Sequence, residues 1–451
     1  MWARLLGTLL YYYVGPFTGN FIVLLCGPVY WELYCIIMWA RLLGTLYTCI
    51  YFSLYFSIDI LRMKFVSLKT FIRLFHNKDE KECTTRSLIS NAMVRTGTKL
   101  RPLKQYMEDR NISKETIQTL CENINARDEY LTRFYNLSLK IQPEMLHIHD
   151  VSIRPMKNKE MNNNQHIVFK NIIRNIHMFD ILQHTKSGID NVPTFFDMLF
   201  DLYLNNIIDY KLLTPSATHY IKNGRIGSVF SSYYFRASIM NPYLVYSLNQ
   251  SVLHGRRIFS PTLGWSSYCY GFLESPNVVE YVGTDVIPSV CKKTKELAEI
   301  YTPSKKVDIY CKPSEDLYKD DSFMKKYKHH FDTVFFSPPY YELELYKSNN
   351  QSTDKYKTYE SWLIDYWDET IKLCYSVLEK HGTLCYILSG YGSQNSHKYD
   401  LLTDMNNITK KYFRLMSTQP MYNKNVHVTT HRETGEQIMI FIKKANAVLL
   451  K

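Results

Sequence analysis

The stretch that most constrains the fold runs from Phe331 to Tyr346, where an apolar run meets two consecutive prolines. Phe331 to Phe336 is a short β-branched and aromatic run without polar alternation, which suits a strand buried on both faces of a parallel sheet. Proline cannot donate to a ladder, so Pro338 and Pro339 end that strand. Ser337 to Tyr340 then becomes a rigid loop at its carboxyl end, the place where open α/β sheets bind ligands.

Composition sets the frame around that loop. With 451 residues, 46% of them hydrophobic and 21% charged, the chain has room for two or three domains and a large core. Its 54 Lys and Arg exceed its 42 Asp and Glu by 12, a balance that permits a polyanionic partner such as nucleic acid. The 10 cysteines include no Cys-x-x-Cys pair. Neither a zinc site nor a disulfide framework is indicated, and a reducing, intracellular compartment suits them best.

Residues 1 to 62 have a different texture. Leu5 to Trp31 and Leu42 to Ile58 carry no charge, and each is near the length that crosses a bilayer. The nine residues from Met1 to Leu9 recur identically from Met38 to Leu46. Two readings follow: a membrane hairpin broken around Glu32 and Arg41, or a translated upstream repeat with Met63 as the natural start. Gly15, Pro16, Gly27 and Pro28 interrupt the first span and favour the second reading. Membrane association is expected only through this extension, and no signal-peptide cleavage pattern stands out.

From Met63 to Thr214 the spacing predicts a mainly helical, locally basic region. Ser113 to Ile141 reads as one helix capped by Ser113, and Pro193 to Leu213 as another with Pro193 near its first turn. Lys157 to Gln165 reads as a loop. From Pro215 onward, short apolar runs alternate with turns. Arg257 to Ser260 enters the loop Pro261, Thr262, Leu263, Gly264, Trp265; Val279 to Thr284 ends in Asp285; Val307 to Tyr310 precedes Ser314, Glu315 and Asp316. That order suits a nucleoside-binding αβ unit, with Asp285 accepting from ribose hydroxyls and Glu315 near the adenine amine. Thr358 to Leu378 reads as an amphipathic helix stopped by Gly382, followed by a strand from Thr383 to Leu388. Gly390, Tyr391 and Gly392 read as a flexible turn beside the substrate, and Glu436 to Lys443 as an antiparallel edge strand.

Ser337-Pro338-Pro339-Tyr340 resembles the signature loop of the amino-methyltransferases. Phe235 to Pro242, Pro261 to Trp265, Ser337 to Tyr346, Gln351, Ser352 and Trp362 together resemble the S-adenosylmethionine-dependent DNA amino-methyltransferases of phages and large DNA viruses. The resemblance covers about Pro215 to Lys443. It implies a doubly wound, Rossmann-like α/β methyltransferase domain over residues 215–451 that binds S-adenosyl-L-methionine and acts on DNA. For a viral chain it also implies the host cytoplasm or a viral factory. Implied catalytic residues are Ser337, Pro338, Pro339 and Tyr340; implied cofactor residues are Pro261, Thr262, Gly264, Trp265, Asp285 and Glu315.

In that scheme Ser337 and the Pro338 carbonyl accept hydrogen bonds from the target amine, and Tyr340 stacks on the extruded base. No metal is required, because the sulfonium is already an activated leaving group. Serine at the head of the loop tilts the target toward cytosine over adenine. Two departures from the family pattern, Ser260 in place of an acid and Ser266 in place of a glycine, keep a catalytically silent nucleic-acid-binding protein as the rival. RNA or a protein amide is the third substrate class.

Overall fold

Seven strands form the central sheet: β1 (Arg257–Ser260), β2 (Glu280–Thr284), β3 (Lys306–Tyr310), β4 (Phe331–Phe336), β5 (Leu378–Ser389), β6 (Phe413–Pro420) and β7 (Glu436–Lys443). Their order is β6-β7-β5-β4-β1-β2-β3. Strands β1 to β5 pair in parallel, and β7 runs antiparallel to both β5 and β6. The computed structural model describes residues 65–77, 82–148, 153–188, 192–301, 304–390, 399–423 and 435–445. The nine-residue repeat and both uncharged spans near the N-terminus lie outside them, as do Tyr391 and Gly392. Among the described residues no helix is long and apolar enough to cross a membrane.

The parallel strands form where the sequence lacks polar alternation. Five of the six residues of β4 are buried, and Phe331 stacks on Phe259 of β1 at 5.4 Å. Burying such a ring contributes about 2 to 3 kcal/mol, which favours a strand in the middle of a two-faced sheet. Helices Ser267–Leu273, Pro288–Ala298, Asp321–Tyr327 and Leu401–Tyr412 alternate with the strands. The chain moves outward from β1 to β3, then returns to lay β4 on the other side of β1. This is a Rossmann-like α/β sheet, and its strand order reverses between β1 and β4.

Several sequence expectations change at their boundaries. The segment after Ser113 is two helices, Lys114–Asn125 and Arg127–Ser138, broken at Ala126, whose ψ of 16° leaves the helical region. Ser113 does cap the first, accepting the N–H of Thr116 at 3.3 Å. Pro193 precedes the cap residue Thr194, and the helix Phe195–Leu204 gives way to a strand at Ile207–Asp209 and a 3-10 turn at Tyr210–Leu213. That strand joins Met93–Thr96 and Lys99–Pro102 in a small three-stranded sheet.

The helix expected over Thr358 to Leu378 ends at Val377, and Leu378 already pairs with Phe331. Gly382 therefore lies inside β5, at an irregularity between Leu378 and Thr383, and does not end the helix. β7 is not the edge strand either: β6, which the sequence did not announce, covers it.

Candidate functional site

All ten residues implied by the resemblance line one cavity of about 550 Å³. The topology brings them together. Loops that follow β1 and β4 leave adjacent parallel strands at the point of order reversal, and Thr262 Oγ1 donates to the Ser337 carbonyl across that point at 3.4 Å. Asp285 and Glu315 come from the ends of the next two strands, β2 and β3.

The β1 loop turns through three successive left-handed residues, Gly264 (φ 52°), Trp265 (φ 58°) and Ser266 (φ 67°). Glycine at the first is obligatory on packing grounds, since a Cβ there would lie 2.2 Å from Cζ of Tyr268. Ser266 carries a Cβ in a conformation that costs an L-residue about 1 kcal/mol. Its hydroxyl is held by two buried partners, His177 Nε2 at 2.7 Å and Thr294 Oγ1 at 2.7 Å. At the position where the resemblance implies glycine, this chain has a serine tied into a buried polar chain. Trp265 donates its indole N–H to the Ser238 carbonyl at 2.9 Å.

Asp285 has a structural task that sequence reasoning missed. One carboxylate oxygen accepts the Leu263 N–H at 3.1 Å and the other accepts the Ile287 N–H at 3.1 Å, so the acid fixes the β1 loop. Each oxygen keeps a further lone pair for a ligand. Burial raises the proton affinity of Asp285, and these backbone donors oppose that rise. Glu315 is also buried and raised by burial; it faces Lys355 Nζ at 3.4 Å and the Tyr356 hydroxyl at 3.5 Å.

The Pro-Pro loop is fastened to β5. Ser337 Oγ donates to the Ile387 carbonyl at 3.0 Å, and the Ser389 N–H donates to the Tyr340 hydroxyl at 2.8 Å. The Tyr340 ring lines the cavity while burial pushes its phenol well above the usual range. Ser337 has spent its hydroxyl proton on Ile387, so the lone pairs of Oγ are left as acceptors. Tyr268, also unforeseen, accepts the Ser337 N–H at 3.2 Å.

The cavity has further lining that the sequence did not reveal. Asn163, Asn164 and Lys170 come from the N-terminal region, Ser238 and Glu344 from either side of the Trp265 contact, and Glu436 from the start of β7. Glu344 accepts from the Ser238 N–H at 3.0 Å and the Tyr346 hydroxyl at 3.0 Å, and burial raises its proton affinity. The Lys157 to Gln165 segment is a loop, as its composition predicts. It reaches the cavity because the Asn163 N–H donates to the Tyr422 carbonyl at 2.8 Å and Asn241 donates its amide to the Asn163 carbonyl at 3.3 Å.

No family model and no curated protein sequence matches the chain. Solved structures with a similar fold include TrmN from Thermus thermophilus, 12% identical with a TM-score of 0.30, over 46% of this chain and 49% of that one. The match thus spans about half the length of TrmN. The tRNA (m1A58) methyltransferase TrmI from Aquifex aeolicus is 11% identical with a TM-score of 0.31, over 47% of this chain and 72% of that one. The N-methyltransferase NodS from Bradyrhizobium japonicum WM9, solved with S-adenosyl-L-homocysteine, is 9% identical with a TM-score of 0.28, over 44% and 83%. Likeness at this level carries no argument about what this chain binds.

Proposed function

We propose that the chain transfers a methyl group from S-adenosyl-L-methionine to an exocyclic amine of a nucleobase, in DNA. The observation that carries the reading is Ser337 Oγ at the switch point, its proton held by the Ile387 carbonyl, on a proline-stiffened loop that lines the cavity, with the Pro338 carbonyl as the proposed second acceptor. An exocyclic amine is a poor nucleophile because its lone pair is delocalised into the ring. Two acceptors on its hydrogens localise that pair and aim it.

The cofactor-side residues fit the methyl donor in chemical kind. Asp285 offers lone pairs to ribose hydroxyls, Glu315 offers an acceptor for the adenine amine, and the left-handed turn at Gly264 brings backbone close to the ligand. The bound donor supplies a methyl sulfonium that leaves without metal assistance. Tyr340 presents a ring whose hydroxyl is already anchored, and stacking a base on it is worth about 1 to 3 kcal/mol. That offsets much of the few kcal/mol needed to extrude the nucleotide from a duplex.

The test is label transfer from S-adenosyl-L-methionine to mixed-sequence DNA, with RNA as a parallel substrate, followed by digestion to nucleosides. Label on a methylated amine of a DNA nucleoside is expected, and Ser337→Ala should slow transfer while leaving cofactor affinity within about twofold. Failure to bind S-adenosyl-L-homocysteine at millimolar concentration would reject the reading and leave the silent binding protein; label confined to RNA would move the substrate class.

A further inference from the structure

The cavity holds four carboxylates and one deeply buried cation, and their commitments differ. Asp285, Glu315 and Glu344 each accept hydrogen bonds from protein donors. The Glu436 carboxylate has no hydrogen-bond partner among the described residues, and it lines the cavity. Lys170 is buried and lines the same cavity; its ammonium makes one hydrogen bond, to Asn164 Oδ1 at 3.2 Å. An ammonium has three protons to donate, so two are left without a protein partner among the described residues. Holding a buried charge so poorly satisfied is costly, and a ligand acceptor would recover part of that cost.

Strand order says which end of the cavity this is. Cofactor-side residues sit at the ends of β1, β2 and β3. Glu436 opens β7 and pairs with Ser389 of β5, the residue that anchors Tyr340. The Lys170 wall is attached on that same side, through the Asn163 bond to Tyr422 and the Met421 N–H that donates to the Glu436 carbonyl at 2.9 Å. Lys170 and Glu436 influence each other's charge without an ion pair at 4 Å or less among the described residues. Both groups line the one cavity, and Glu436 stands opposite the strand residue whose N–H anchors Tyr340.

We propose that Lys170 reads the acceptor edge of the target base, donating its two free N–H bonds to adjacent ring acceptors beside the amine held by Ser337, and that this edge is N3 and O2 of cytosine. The proposal rests on the amino-methyltransferase reading and deepens it. Cytosine presents N3 and O2 side by side on the edge next to its amine, whereas adenine's N1 and N7 lie on opposite sides of its amine and form no such pair. Glu436, lining the same cavity, favours the protonated form that donates, against the burial that disfavours it.

The experiment uses the full chain with saturating S-adenosyl-L-homocysteine and short single strands of dT carrying one central dC or one central dA. Wild type is expected to bind the dC strand roughly tenfold more tightly than the dA strand, as a bidentate contact would give. Lys170→Met should reduce that preference to about twofold or less while S-adenosyl-L-homocysteine affinity stays within about twofold. Glu436→Gln, which keeps the side-chain volume, should lower the preference in the same direction and serves if the Lys170 variant does not fold. An undiminished preference for dC in a folded Lys170→Met protein overturns the proposal. A tenfold loss of S-adenosyl-L-homocysteine affinity in that variant also overturns it, assigning Lys170 to the donor's carboxylate and leaving the methyltransferase reading intact. Wild type that binds neither S-adenosyl-L-homocysteine nor any strand removes both.

Discussion

The hydroxyl of Tyr268 accepts the backbone N–H of Ser337 at 3.2 Å while its ring fills the space beneath Gly264. One side chain therefore touches both the β1 loop and the Pro-Pro loop. Tyr268→Phe keeps the ring and removes the acceptor, leaving a partly buried N–H unsatisfied at a cost of about 1 to 3 kcal/mol. The expected outcome is a slower single-turnover methyl transfer with cofactor affinity nearly unchanged, read by rapid-quench kinetics beside calorimetry. An unaltered rate would mean that Ser337 does not depend on Tyr268 for its position.

Ser266 sets up a comparison between two replacements. Ser266→Gly relieves the left-handed strain, whereas Ser266→Ala retains it, and both remove the bonds to His177 and Thr294. Urea unfolding should find the alanine variant less stable than the glycine variant by about 1 kcal/mol. Equal stabilities would show that the φ of 67° carries no penalty here.

For Asp285 the structure predicts two losses from one substitution. Asp285→Ala strips acceptors from the Leu263 and Ile287 N–H groups, so the melting temperature should fall. Cofactor affinity should fall as well, by about 1.5 to 3 kcal/mol if a charged acceptor to the ribose is gone. Calorimetry that finds the first loss without the second would make Asp285 a loop fastener only.

Lys170 gives stability a pH signature. Burial, with Arg174 and Arg236 nearby and Glu436 opposing, brings its ammonium down to about 7, well below the ordinary lysine value. Between there and the unfolded value of about 10.4 the unfolded chain binds more protons, so this group makes stability rise with pH across that window. Below about pH 7 the burial penalty is present in full. Lys170→Met removes it, so the variant's gain in melting temperature should be largest at pH 6 to 7 and shrink toward pH 10. A gain that grows with pH would contradict the assignment.

The parts legible in the sequence were those whose signal is local. Phe331 to Phe336 announced a central strand, two prolines announced its loop, and Gly264 and Asp285 stood at strand ends a chain reader can find. The parts that stayed hidden depend on contacts distant in sequence. Asn163 lines the cavity because of Tyr422, 259 residues on, and nothing in a Lys- and Asn-rich loop signals that. Lys170 sits among apolar residues of a short amphipathic helix, where a lone lysine reads as solvent-facing. β6 was missed because its residues are mostly exposed, so the alternation that marks half-buried strands is absent.

Two hydrogen bonds fasten the Pro-Pro loop to Ile387 and Ser389, residues two apart on β5. Both anchors lie where β5 pairs in register with β7, Ile387 opposite Ile438 and Ser389 opposite Glu436. A one-residue slip of β5 would turn every side chain on it to the other face and carry both anchors out of reach. The four-residue loop is therefore not a portable module. Grafted onto another strand-loop junction, it would keep its stiff prolines and lose the carbonyl that takes the serine's proton, and with it the reason that serine is an acceptor.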